Sequence, residues 1–182
     1  MISREEAMNL VKKHMTNKNL IKHVIAVEVI MRDLAERFDK DPEVWGMAGL
    51  LHDLDYERTK NNSEKHGYIT LDLLEELDVS EEIKHAILAH AGHVEPVSLI
   101  DRAIYCSDPV TGLIVASALM HPTKSLSGMD LSFVGRRFEE KRFAAGADRE
   151  AIASCSGLGI ELQDFLKQSL NAMQSISQEL GL

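Results

Sequence analysis

The chain has 182 residues, 45% of them apolar and 27% charged, a composition that excludes a disordered protein and, at roughly 100–200 residues per domain, predicts a single domain. Its 29 acidic against 20 basic side chains leave a net charge of −9. Such a surface repels phosphate backbones and anionic lipid, so no nucleic-acid partner and no membrane partner is expected through a broad basic face. Two distant cysteines, Cys106 and Cys155, supply neither a disulfide framework nor a thiolate metal site and are expected to be reduced and buried. The stretch MISREEAMNLVKKHM has no signal-peptide-like apolar core. Uninterrupted apolar runs such as 112–116 and 118–120 fall short of the ~20 residues that span a bilayer. The expected location is the cytoplasm.

Helical periodicity dominates in chain order. Ser3 with Glu6 three residues on forms a capping-box pattern that opens a helix to about Met15. Leu20, Val24, Val27, Met31, Leu34 and Phe38 make one stripe over Asn19–Phe38. Asp41-Pro42 caps and starts a third helix to about Leu51. The polar stretch 53–63 reads as a loop, followed by a helix from Ser63 or Glu64 to Leu77. Ser80 caps a helix that Gly92 stops, and a long apolar segment runs from Ser98 to Met120 before His121-Pro122. Helices are predicted at Leu131–Ala144 and Asp148–Ser154, then a last amphipathic one over Ile160–Leu180. Strand alternation and hairpin signals are absent. The expected fold is all-α: a single-domain helical bundle over residues 1–182 with about 8 helices.

Placed on these helices, several metal-type side chains face inward. His23 shares the stripe of Leu20 and Val27, His66 precedes Ile69, Thr70, Leu73 and Leu77 at helical spacing, and His90 follows Ile83 and Ile87. Asp108 follows Ile100 and Ile104, while His52-Asp53 closes a helix. Any one of these alone is read as a core residue bonded to a backbone carbonyl. All in one core would leave many polar groups unsatisfied, and a metal satisfies them together. Two imidazoles and two carboxylates from His23, His52, Asp53 and Asp108 suit Mn, Fe, Co, Ni or Zn, with Mg also admissible. His66 and His90 would hold a second ion, with Asp53 bridging. Pro109 directly after Asp108 predicts a kinked or interrupted helix there. His85 points away from the core, Cys106 and Trp45 read as core, and His14 as a packing residue.

The order His23, then His52-Asp53 in GLLHDLDYE, then Asp108 resembles the H…HD…D signature of the HD superfamily of metal-dependent phosphohydrolases. His66 in EKHG and His90 in ILAH resemble the two further histidines of its two-metal members. The resemblance implies an HD-type core over 19–121 with a helical extension, 122–182, packed on it. It implies hydrolysis of a small phosphorylated molecule, a nucleotide or other phosphomonoester, by attack of a metal-bound hydroxide, with Asp53 as catalytic carboxylate. One or two divalent ions are implied, and a homodimer is compatible with it. Two other readings stay open: a di-iron oxygenase of the HD type, and a non-catalytic ligand-binding module. Where signalling-type HD proteins carry Ile-Gly and a lysine after the dyad, this chain has Leu54-Asp55-Tyr56, so cyclic-dinucleotide cleavage is not transferred. Asp55, Tyr56, Glu57, Arg58 and Lys60 are candidates for the mouth of the site, with Arg58 or Lys60 meeting a phosphate. In the basic run from Arg136 to Arg149, the resemblance favours Lys141 and Arg149 as contacts to an anionic substrate.

Overall fold

Polar side chains at the helix starts set most of the element boundaries. The computed structural model describes residues 1–182 and contains no strand. Ser3 and Glu6 exchange the capping-box bonds that open α1 (Arg4–His14), and Asn17 caps α2 (Lys18–Arg37). Asp41 with Pro42 opens α3 (Pro42–Leu51). A short α4 (Tyr56–Thr59) and α5 (Tyr68–Leu74) precede α6 (Glu81–His90), which Ser80 caps. The longest helix, α7 (Leu99–Met120), starts at a capping box between Ser98 and Asp101. Then come α8 (Leu131–Glu139), α9 (Arg149–Ala153), α10 (Leu162–Ser175) and α11 (Ser177–Leu180). Eight helices have seven residues or more.

Helices α2 and α7 form the centre. The first packs on α3, α7 and α10; the second adds α6, α8 and α9. Helix α3 is apolar on every side, with Trp45 through Leu51 all buried, so it ends inside the protein and delivers His52 there. Its approach to α2 depends on Gly49, where a Cβ would stand 2.9 Å from the Glu28 backbone. The Glu28 carboxylate, only 3% exposed, bonds Arg4 and Arg32 and ties α1 to α2. Arg32 continues to Glu43 at the head of α3. By length and composition α7 could cross a membrane, although its uninterrupted apolar runs are short. Here its apolar face, including Ile100, Ile104, Leu113 and Ile114, is buried against other helices. Cys106, Cys155 and Trp45 lie in the core.

Several expected boundaries are corrected. Residues 53–63 are no plain loop: Asp53, Leu54 and Asp55 are buried, and α4 follows. The helix expected from Ser63 to Leu77 is only a 3-10 turn at Ser63–Lys65, an extended His66, and then α5. Gly67, at φ 80°, makes the break, and a Cβ there would stand 3.2 Å from Ala91 Cβ and 3.4 Å from Ile87 O. His66 therefore faces inward from an extended backbone, not from a helical stripe. Conversely, α7 runs unbroken through Pro109. The helix expected to reach Ala144 stops at Glu139, and Arg149 satisfies the last-turn carbonyls of Arg137 and Phe138. The last helix divides at Ile176.

Candidate metal centre

Six side chains from five places in the chain meet at one site, and all of them except fully buried His52 line a cavity of about 640 Å³. His23 comes from the first half of α2, His52 and Asp53 from the end of α3, His66 from the turn before α5, His90 from the last residue of α6 and Asp108 from the middle of α7. Asp53 stands between two groups. Its Oδ2 is 3.6 Å from His23 Nε2 and 3.7 Å from His52 Nε2, while its Oδ1 is 3.3 Å from His66 Nε2 and 3.6 Å from His90 Nε2. Asp108 Oδ1 closes the first group, 3.0 Å from His23 Nε2 and 3.8 Å from His52 Nε2. In the second group the Nε2 atoms of His66 and His90 are 3.1 Å apart. Neighbouring ligand atoms on an ion with bonds of ~2.1 Å lie ~3.0–3.4 Å apart, so each group is near the size of an ion's shell.

All four rings are turned the same way, with Nδ1 engaged outward and Nε2 directed to the centre. His52 Nδ1 donates to Gly49 O at 2.7 Å and His90 Nδ1 to Ile87 O. Both acceptors lie three residues earlier, in the last turn of their helix, and Ile87 O also accepts the Ala91 amide. His66 Nδ1 donates to Asp55 Oδ1 at 2.8 Å, and Asp55 Oδ2 accepts the amide of Thr70. His23 Nδ1 donates to Thr111 Oγ1 at 2.9 Å, and that hydroxyl donates to Asp108 O. These outer bonds fix the tautomer that leaves Nε2 free to bind a cation. The backbone of His66 is itself held by His93, whose Nε2 donates to His66 O at 2.8 Å and whose ring stacks on Tyr68.

The donor set fits a divalent metal on an internal observation: His52 Nε2 is buried and has no hydrogen-bond partner, an expensive state that a ligated ion would relieve. The electrostatics agree. Burial alone would lower the His52 pKa, yet the carboxylates of Asp53 and Asp108 raise it to about 9. Against the upward push of burial, His52, His90 and His23 draw Asp53 down to about 2. His23 and His52 likewise hold Asp108 well below the ordinary carboxylate range. Burial lowers His90, so it favours the neutral, ligating form. Exposure grows from fully buried His52 to Asp108, whose side chain is 35% exposed at the cavity mouth.

The four cationic residues expected at the substrate lie elsewhere. None of Arg58, Lys60, Lys141 and Arg149 lines the cavity, and no other lysine or arginine does. Arg58 is exposed and bonds His14 Nδ1; Lys60 and Lys141 are exposed. Arg149 is a correction with a clear cause, because its five donor contacts all go to backbone carbonyls. Within the 55–60 stretch, Tyr56 lines the cavity, Glu57 accepts the amides of Thr16 and Asn17, and Asp55 is buried as the partner of His66. Thr111, Tyr105 and the 144–148 segment carried no sequence signal of their own. His85, expected in solvent, is half exposed and pairs with buried Asp101 at 3.0 Å.

An all-α core that gathers imidazoles and carboxylates around one cavity defines a candidate metal-dependent hydrolase. The HD domain family model matches residues 20–121, more than half of the chain, and the protein belongs to the HD superfamily of metal-dependent phosphohydrolases. Similar curated proteins include a Ribonuclease Y of Sulfurovum sp., 26% identical over 136 residues, 73% of this chain and 27% of that protein. A Ribonuclease Y of Borreliella burgdorferi is 31% identical over 141 residues, again 73% and 27% of the two chains. That of Thermoanaerobacter pseudethanolicus is 25% identical over 166 residues, 90% of this chain and 33% of the other. The chain thus spans about a quarter to a third of the length of these relatives. No solved structure matches it.

Proposed function

We propose that this protein is a metal-dependent phosphohydrolase of small phosphorylated compounds, a nucleotide or another phosphomonoester. The observation that carries the reading is Asp53, which turns one carboxylate oxygen to each of two histidine groups. His23, His52, Asp53 and Asp108 would hold one divalent ion, and His66 and His90 with the second oxygen of Asp53 another. Bound there, such ions supply positive charge to phosphoryl oxygens and favour deprotonation of water. The protein's own part is positional. Outer-shell bonds lock the four imidazoles, so that no ring has to reorient during reaction. Asp53, kept ionised down to about pH 2, orients the attacking water through its carboxylate.

The relatives are ribonucleases by name, and a phosphodiester in RNA is the other substrate this chemistry could take. The small substrate is favoured by the cavity, whose walls carry no lysine or arginine, and by a net charge of −9, both of which disfavour a polyanionic strand. A phosphate-release screen of Mn-, Co-, Ni- or Mg-loaded protein, run without oxygen, tests this. Release from phosphomonoesters is expected; cleavage of RNA alone, or turnover only with oxygen, would reverse the assignment.

A further inference from the structure

Arg149 is the first residue of α9, yet its guanidinium is folded back onto the chain before it. Nε donates to Phe138 O at 3.1 Å, Nη1 to Ala144 O and Ala147 O at 3.1 and 2.6 Å, and Nη2 to Arg137 O and Phe143 O at 3.3 and 2.6 Å. The group also lies 5.7 Å from the centre of the Phe138 ring. One side chain thus ties down a segment with almost no regular structure, whose Ala144 takes a left-handed backbone at φ 44°. Free alanine disfavours that conformation, so it needs such an external tie. The same segment lines the cavity with Ala144, Gly146, Ala147 and Asp148, whose carboxylate caps α9 by accepting the Glu150 and Ala151 amides, and Tyr105 and Gly112 of α7 line it too. At the closest approach, a Cβ on Gly112 would meet Ala147 Cβ at 4.0 Å.

We propose that Arg149 is a positioning residue that fixes this segment as the wall receiving the uncharged organic group of the substrate. The inference rests on the phosphoester reading and deepens it. A wall of small residues, whose one carboxylate is engaged at a helix start, in a cavity also lined by Tyr105 fits a flat, uncharged group. With no lysine or arginine beside it, it offers nothing to a second phosphate. A lysine at 149 cannot replace the fork, because an ammonium has three donors at one point where the guanidinium has five spread in a plane.

The test uses Mn-loaded protein and calorimetric titration with two non-hydrolysable probes, phenylphosphonate and methylphosphonate, which share a head and differ in the organic group. In Arg149→Lys, phenylphosphonate is expected to bind about tenfold more weakly, with methylphosphonate affinity and manganese stoichiometry unchanged. Equal loss of both probes, or loss of neither, overturns the assignment. Gly112→Ala gives an independent reading with Arg149 intact, since its methyl meets only Ala147 at ordinary contact distance. It must weaken phenylphosphonate severalfold and spare methylphosphonate; no change sinks the proposed wall. Wild-type protein that binds neither probe instead overturns the phosphoester reading, and this inference with it.

Discussion

Asp55 lies beneath His66, its Oδ1 2.8 Å from the ring Nδ1, and is itself fully buried. Its other oxygen accepts the Thr70 amide at the head of α5, so one carboxylate orients the imidazole and anchors the element that follows it. The pair explains how a histidine on a non-helical turn can be aimed as accurately as those on helix ends.

Replacing Asp55 by Asn should weaken metal binding at the His66 side about 10–100-fold, the usual cost of losing an outer-shell carboxylate. Binding at the His23 side should hold. Metal titration followed by elemental analysis checks this; equal losses at both sides would contradict the two-group arrangement.

His52→Ala and His66→Ala should separate the groups directly. His52 Nε2 lies within ligand-sharing distance of both clusters, that of His23 and Asp108 and that of Asp53 and His90, and its loss should empty the protein of metal. His66 belongs only to the second group, so its loss should leave about half the wild-type content by elemental analysis.

Metal affinity should depend on pH through His52. Without metal this ring is raised to about 9 by Asp53 and Asp108, so an ion must displace its proton. Affinity is expected to rise about tenfold per pH unit towards 9 and then level off. The metal-free fold carries the matching signature. A folded pKa above the unfolded value gives stability fully present below about 6.5 and lost as pH rises through about 9. His90, lowered by burial, acts in the opposite sense and at lower pH, costing stability as pH falls below its ordinary value. Melting temperatures of the metal-free protein between pH 6.5 and 9 should therefore decline; a flat profile would refute the charged His52.

Gly49→Ala should damage fold and site together. The added Cβ would stand 2.9 Å from the Glu28 backbone, an overlap worth about 1–3 kcal/mol of stability. Because Gly49 O is also the acceptor of His52 Nδ1, pushing α3 from α2 should lower metal content as well. Denaturant unfolding with metal analysis on the same variant reads both effects.

What a linear reading of this chain could reach was whatever depends on local chemistry. Caps at Ser3, Asp41 and Ser80 satisfy free amides within three residues, so they are visible in the order of residues. The same holds for the stripe of α2, and the six metal-type side chains could be named from their spacing and from the HD pattern. Their companions could not. Asp55 and Thr111 matter because distant elements bring His66 and His23 against them, and a charged stretch or a helical threonine gives no hint of that. Arg149 shows the reverse error. Its charge suggested an anion, but folding surrounds it with backbone carbonyls, which compete for the same donors. Residue types and helical periods set which groups must leave water; only the packing of α2, α3, α6 and α7 decided which of them meet.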